Sequence, residues 1–127
     1  MQRGIRGATT VEVNQKGDIL TASRILLQEM IERNHVEPED ISHVIFTVTN
    51  DLDAAFPASA IRDFEGFRHV PVMCSQEIPV PNSLSRCIRV MMVTNTEKNQ
   101  DEIHHIYHRE ATSLRPDLSL TNEMKKR

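Results

Sequence analysis

A single amphipathic helix, among segments that otherwise look like strands, is the feature that most constrains the fold of this sequence. Between residues 18 and 33, apolar and small residues recur every three or four positions, and this spacing places them on one face of a helix. The stripe consists of Ile19, Ala22, Ser23, Leu26, Leu27, Met30 and Ile31. Polar residues fill the other sides, so the helix is expected to serve as a scaffold and to carry no chemistry.

Strand-like segments make up most of the remaining chain. They are residues 4–13, 43–49, 69–75, 87–93 and roughly 104–111. Pro38 and Pro57 can each open a short helical turn, because proline suits the first helical position. The pattern predicts an α/β fold, in the mixed α+β sense, with a sheet of about five strands, one long helix and short helical turns. Because one helix covers only one face of such a sheet, a homo-oligomer is expected.

Length and composition set the broad class. The chain has 127 residues, which predicts one domain at residues 1–121, followed by a polar C-terminal tail at 122–127. A formal net charge of −3 and the lack of a basic stripe argue against a nucleic-acid binder. No apolar run could span a bilayer, and no signal-peptide pattern opens the chain. Cys74 and Cys87 form no disulfide framework, so a reducing, cytoplasmic setting is expected.

Several familiar chemistries lack their motifs. The sequence has no GxGxxG, P-loop or GxSxG pattern. Cys74 could act as a nucleophile, but a small packed residue is the more common role of such a cysteine. The spacing of His104, His105 and His108 would suit a metal ion, yet no carboxylate or cysteine cluster accompanies them. A metal site is therefore the less favoured interpretation.

Arginines in apolar surroundings are the remaining signal. Segment 87–93 is apolar except for Arg89, and an unpaired buried charge is very costly. Arg89 must therefore meet solvent at an edge, a carboxylate partner or an anionic ligand. The donors of interest, with one carboxylate and one phenol, are Arg6, Arg62, Arg89, Arg115, Glu77 and Tyr107. Converging arginines suit a small polyanion, and catalysis by aimed charge needs no nucleophile, metal or cofactor.

Several blocks of sequence, in the same order, resemble one enzyme family. The blocks are Arg3-Gly4-Ile5-Arg6-Gly7-Ala8-Thr9-Thr10, Ala55-Phe56-Pro57-Ala58, Arg62, Val70-Pro71-Val72, Cys74 with Gln76-Glu77, Cys87-Ile88-Arg89-Val90, His105-Ile106-Tyr107 and Leu114-Arg115-Pro116-Asp117-Leu118. From Arg3 to about Leu120, the chain resembles the small monofunctional chorismate mutases of the trimeric pseudo-α/β-barrel type, unlike the all-helical type.

The resemblance implies an isomerase that converts chorismate to prephenate on the way to phenylalanine and tyrosine. The reaction is an intramolecular Claisen rearrangement, in which an ether C–O bond breaks as a C–C bond forms. In this family the sites lie at the subunit interfaces of a homotrimer. The resemblance implies no cofactor and no metal, and no partner beyond chorismate, prephenate and further copies of the chain.

The resemblance also implies roles for individual residues. Arg89 would donate to the ether oxygen, and Glu77 would accept a hydrogen bond from the ring hydroxyl. Arg6 and Tyr107 would hold the side-chain carboxylate, and Cys74 would line the hydroxyl side of the pocket. The catalytic set is Arg89, Glu77 and Arg6. The further substrate contacts are the ring walls Phe56, Val72 and Leu114, the mouth residues Arg62 and Arg115, and Ala58, Ser59 and Met73.

Two positions depart from the family pattern. Ser59 stands where some members carry lysine, and Met73 where some carry threonine, but neither is expected to touch the ether oxygen. The alternative from another class is a non-catalytic trimer that binds small carboxylates as a sensor. Such a sensor would keep Arg6 and Arg62 but would need no cation beside the ether oxygen, so Arg89 together with Glu77 favours the enzyme.

Overall fold

The computed structural model describes residues 1–114. Within that range the strands are β1 (Gln2–Thr10), β2 (Ile41–Val48), β3 (Val72–Gln76), β4 (Cys87–Asn95) and β5 (Ile106–Tyr107), and the one α-helix, α1, is Lys16–Arg33. Short 3-10 helices lie at Pro38–Asp40, Pro57–Asp63, Gln100–Glu102 and Arg109–Leu114. Three sequence-based predictions lie outside the described residues. They concern the site residue Arg115, the domain boundary at 121 and the tail 122–127.

The strands form one mixed sheet in the order β3-β2-β4-β1-β5. β4 lies at the centre and runs antiparallel to β1 and β2, whereas β3 runs parallel to β2 and β5 runs parallel to β1. The predicted mixed α/β fold, with about five strands, one long helix and short helical turns, is confirmed. No helix in residues 1–114 has both the length and the apolar character to cross a membrane.

The predicted apolar stripe is the side of α1 that packs on the sheet. Its buried members are Ile19, Ser23, Leu26, Leu27 and Met30. Gly7 in β1 lets the helix approach, because a Cβ at this position would overlap Met30 Sδ. Glycines beside Arg6 predict either a bulge or a close approach. The structure has the close approach, and β1 pairs with β4 residue for residue along its whole length.

Each strand differs at one or both ends from the range that the sequence predicts, and β5 differs most. Instead of a strand over residues 104–111, β5 is only Ile106–Tyr107. Arg109 has a positive φ of 54°, which ends the extended backbone and starts a 3-10 helix. β1 ends at Thr10 instead of residue 13 because β4 begins at Cys87, directly opposite. The next residue, Val11, donates its N–H to Arg86 O at 3.0 Å instead.

The sheet face opposite α1 carries exposed apolar side chains. Strand alternation predicts Arg89, Met91 and Val93 on one face of β4 and Ile88, Val90 and Met92 on the other. The structure buries the second set toward the helix and leaves the first set at least partly exposed. Met91 is 38% exposed, and its neighbours in register, Ile45 on β2 and Met73 on β3, are 37% and 69% exposed. We call this side of the sheet, which also carries Arg89, the open face. An apolar surface of this kind is typical of a protein contact.

Candidate active site

Arg89 lies on the central strand of the sheet, so the edge explanation for this arginine is excluded. It pairs in register with Thr47 on β2 and with Ala8 on β1. Its side chain projects from the open face and is 46% exposed. The two remaining explanations are a carboxylate partner and an anionic ligand, and the structure shows a carboxylate partner.

That partner is Glu77, the residue that follows β3. Its N–H donates to Val48 O at 2.9 Å, which extends the pairing of β2 and β3 by one residue. The side chain folds over the open face, so that Oε2 lies 3.1 Å from Arg89 Nε and accepts a 2.7 Å hydrogen bond from Thr47 Oγ1. An ion pair with so exposed an arginine contributes at most about 1 kcal/mol to stability. Fold stability alone therefore gives little reason for this arrangement.

Arg89 also lines a cavity of about 300 Å³ on the open face, which we call the arginine cavity. Arg6 of β1, Tyr107 of β5 and Leu114 line it as well. The rest of the lining is small or mostly apolar, and consists of Gly7, Ala8, Ile45, Thr47, Val90 and Met91. Guanidinium groups and a phenol above apolar strand residues suit a small anion with a hydrophobic body.

A second group of predicted site residues surrounds a different cavity, of about 470 Å³, beside the edge strand β3. We call it the β3-edge cavity. The predicted residues that line it are Phe56, Ala58, Ser59, Arg62, Val72 and Cys74. The Phe56 side chain is 73% exposed, so one chain leaves this ring largely uncovered. Met73 projects from the open face and lines neither cavity.

The two cavities are separate in one chain. Val72 and Cys74 of the β3-edge cavity pair with the buried Val44 and Phe46, so they lie on the helix side of the sheet and not on the open face. Arg6 and Tyr107 lie on β1 and β5, three and four strand positions from β3, which corresponds to about 14–19 Å. Glu77 bridges part of this gap, because its carboxylate reaches from the end of β3 to Arg89. The structure therefore brings together Arg6, Glu77, Arg89, Tyr107 and Leu114, and it leaves the β3-edge residues in a separate group.

Both free cysteines are protonated thiols near neutral pH. Burial raises the pKa of Cys74, although a hydrogen bond from the backbone of Ala58 opposes the rise. Burial also raises the pKa of Cys87 to about 11, against the opposing charge of Arg89. An activated nucleophile needs a lowered pKa instead. The geometry thus favours a pocket-lining role for Cys74.

The three neighbouring histidines do not converge on one point. His108 Nε2 lies 2.8 Å from Glu29 Oε2 on α1. His105 Nδ1 accepts a 2.9 Å hydrogen bond from the backbone N–H of Arg6. Among residues 1–114, no three His, Cys, Asp or Glu side chains are grouped closely enough to hold a metal ion. The metal interpretation gains no support from this arrangement.

Comparisons with known proteins decide the family. A family model described as chorismate mutase type I matches residues 2–118. The chain belongs to the type I chorismate mutase family. Chorismate mutase AroH of Bacillus subtilis (strain 168) is 50% identical over 121 residues, which are 95% of each chain. Chorismate mutase AroH of Thermus thermophilus is 50% identical over 119 residues, 93% of this chain and 97% of the relative.

Structure comparison agrees with this assignment. The solved structure of a chorismate mutase from Clostridium thermocellum matches this type I chorismate mutase with a TM-score of 0.84 and 50% sequence identity. The match covers 87% of this chain and 98% of that chain. The fold described above is therefore the fold of a solved member of the family.

Two residues beside Arg89 in this type I chorismate mutase are not among those that sequence reasoning selects. Cys87 lies two positions away on β4 and is fully buried, and Thr47 donates to Glu77. Alternation along β4 is the signal that could have placed Cys87 with Arg89. Thr47 has no such signal, because its place depends on how β2 pairs with β4, and strand register is not visible in either segment alone.

Proposed function

We propose that this type I chorismate mutase converts chorismate to prephenate, an isomerisation in the biosynthesis of phenylalanine and tyrosine. Relatives that carry the name chorismate mutase are 50% identical to it over most of the chain. The structural observation that carries the proposal is the placement of Arg89 in a cavity with a second arginine and a phenol. Its Nε faces Glu77, so the guanidinium is held while part of it remains available to a ligand.

Arg89 supplies the charge that the reaction needs most. As the C–O bond breaks, negative charge grows on the ether oxygen, and a donor already aimed there stabilises the transition state more than the substrate. Since Glu77 occupies the Nε side, the terminal Nη groups are left for this oxygen. One such donor contributes about 3–4 kcal/mol, and holding the flexible substrate in its reactive shape adds several more. Together they approach the roughly 8 kcal/mol of a modest enzymatic acceleration.

The other residues of the arginine cavity orient the substrate. Arg6 and Tyr107 hold the side-chain carboxylate, because a guanidinium and a phenol both donate hydrogen bonds to carboxylate oxygens. Glu77 accepts a hydrogen bond from the ring hydroxyl at Oε1, since Oε2 already accepts one from the Thr47 hydroxyl. Leu114 packs against the ring. An intramolecular rearrangement with this kind of stabilisation requires no cofactor or metal.

The β3-edge cavity completes the site from a second copy of the chain. Phe56 and Val72 wall the ring, the Cys74 thiol borders the hydroxyl, and Arg62 attracts the dianion at the mouth. Further contacts come from Ala58, Ser59 and Met73. Because serine has no charge at position 59, the ring carboxylate relies on backbone donors or another arginine. Arg115, the other expected mouth residue, lies outside the described residues.

A homotrimer with sites at its interfaces would account for both the separated cavities and the open face. Arg6 on β1 and Tyr107 on β5 are about 14–19 Å from the strand β3 that borders the other cavity, so one small dianion cannot reach both groups within a single chain. Ile45, Met73 and Met91 offer an apolar centre for the contact. Contacts between two unlike surfaces form a ring when the rotation between copies closes, and the family resemblance favours a ring of three. The free thiols fit the proposed cytoplasmic location.

The direct test follows chorismate absorbance after purified protein is added, with and without a chelator. We expect conversion to prephenate at equal rates in both. If a folded, oligomeric protein does not convert chorismate, the proposed activity is wrong. If that protein still binds dicarboxylates, the sensor alternative is favoured. Conversion that the chelator abolishes would instead support a metal site built on the histidines.

Glu77→Ala and Arg62→Ala are expected to affect different kinetic constants. Glu77 faces the reacting ring, so its loss lowers kcat by about tenfold or more. Arg62 is exposed, and its loss raises KM about threefold to fivefold with little change in kcat. Steady-state kinetics measure both constants, and Glu32→Ala on the exposed side of α1 is the control for removing a carboxylate. The opposite pattern would mean that the two roles are exchanged.

A further inference from the structure

We propose that Thr47 is a positioning residue for this reaction. Its hydroxyl holds one oxygen of the Glu77 carboxylate, and this keeps both the second oxygen and the terminal nitrogens of Arg89 free for the substrate. The identity of the substrate rests on the proposed function, but the three residues belong to one chain and their contacts can be tested separately.

Two contacts converge on the same carboxylate oxygen. Thr47 Oγ1 donates to Glu77 Oε2 at 2.7 Å, and Arg89 Nε lies 3.1 Å from that oxygen. The hydroxyl is the donor, because an ionised carboxylate only accepts hydrogen bonds. Within residues 1–114, Glu77 Oε1 has no hydrogen bond or ion pair. The carboxylate thus has one engaged oxygen and one that is available.

The sheet holds Thr47 at the required place. Thr47 and Arg89 are paired across β2 and β4, so their side chains leave the open face side by side. Glu77 is tied to the same strand through its N–H bond to Val48 O at 2.9 Å. The backbone therefore brings donor and acceptor together without help from a ligand.

Removal of this hydroxyl changes what Glu77 and Arg89 can do. A carboxylate and a guanidinium prefer a bidentate pairing, in which two parallel N–H groups meet both oxygens. Such pairing would turn Oε1 and one Nη toward each other and withdraw both from the substrate. The Thr47 hydrogen bond opposes this rotation, because Oε2 cannot move without losing it. Thr47 acts on the reaction through Glu77 and Arg89 and need not touch the substrate.

Kinetics of two substitutions test this role. Thr47→Val keeps the shape but removes the donor, and we expect kcat to fall about tenfold with KM within about threefold of wild type. Thr47→Ser keeps the hydroxyl and is expected to retain kcat within about threefold. In a Glu77→Ala background, Thr47→Val should change kcat less than about twofold, since no carboxylate remains to be held. An equal fall in both backgrounds, or no fall in either, would overturn the proposal.

Crystal structures of Thr47→Val and Thr47→Ser provide a readout that does not depend on turnover. We expect the Glu77 carboxylate to rotate toward bidentate pairing with Arg89 in Thr47→Val and to stay in place in Thr47→Ser. If the carboxylate moves but wild type lacks mutase activity, the proposed function fails and the positioning role stands. If wild type is active and the carboxylate does not move, the positioning role fails alone. Thr47→Ala serves the same comparison should the valine variant not fold.

Discussion

Arg89→Lys is expected to lower kcat by about a hundredfold to a thousandfold while the fold stays intact. A lysine ammonium is a single point of charge that can pair with Glu77 or reach the ether oxygen. In the proposed mechanism the guanidinium does both at once, through Nε at 3.1 Å from Glu77 and through its terminal nitrogens. Because Arg89 is 46% exposed, its ion pair contributes little to stability. Steady-state kinetics measure kcat, while circular dichroism and the mass of the oligomer report on fold and assembly.

Arg24→Lys is the matched control for this substitution. Arg24 Nε lies 3.0 Å from Asp63 Oδ2, and its side chain is 44% exposed, so both contact and exposure resemble those of Arg89. Arg24 lines neither the arginine cavity nor the β3-edge cavity, and we expect its lysine variant to keep kcat within about twofold of wild type. Near-normal turnover by Arg89→Lys would contradict the mechanism. Equal losses in both variants would show an effect that is not specific to the site.

Mixing two inactive variants is expected to restore activity, because the proposed site is shared between chains. Arg89→Ala damages the arginine cavity. The double variant Ser59→Glu/Arg62→Glu puts two negative charges at exposed positions of the β3-edge cavity, where they repel the dianion. Each variant alone should lower kcat/KM about a hundredfold or more. After refolding together in equal amounts, about a quarter of interfaces join two undamaged halves, and about a quarter of wild-type activity should return.

The control mixture combines Arg89→Ala with Arg6→Glu. Both substitutions alter the arginine cavity, so every chain in the mixture carries a damaged arginine cavity. No activity is therefore expected to return. A mass tag on one variant verifies that mixed oligomers form. If mixed oligomers form but the first mixture stays inactive, the shared site is wrong.

The local elements of this fold could be predicted because their signals lie in neighbouring residues. The stripe that begins at Ile19 follows the helical period, and five of its seven residues are buried on the sheet. Alternation along β4 predicts that Arg89 and Met91 share a face, and the structure exposes both. β5 could not be predicted at its true length, because Arg109 adopts a positive φ that arginine rarely takes and that its sequence context does not announce.

Some residues of the candidate site could also be predicted from the sequence. Arg89 is conspicuous as the charge in an apolar strand, and the sequence blocks that resemble chorismate mutases supplied Glu77, Arg6 and Tyr107 as its companions. Thr47 could not be found, because an alternate threonine in a strand has many structural explanations. Its relevance appears only when the hydrogen bond to Glu77 Oε2 is seen.

The amino-acid sequence alone was enough for the helix, most of the strands and the fold class, since each depends on residue type and short-range spacing. Its resemblance to chorismate mutases was enough for the family. Only the tertiary structure decided the strand order β3-β2-β4-β1-β5, the pairing of Thr47 with Arg89 and the division of the predicted site between two cavities. These features depend on contacts between segments far apart in the chain. A local pattern says which face a side chain takes, but it does not say which strand lies beside it.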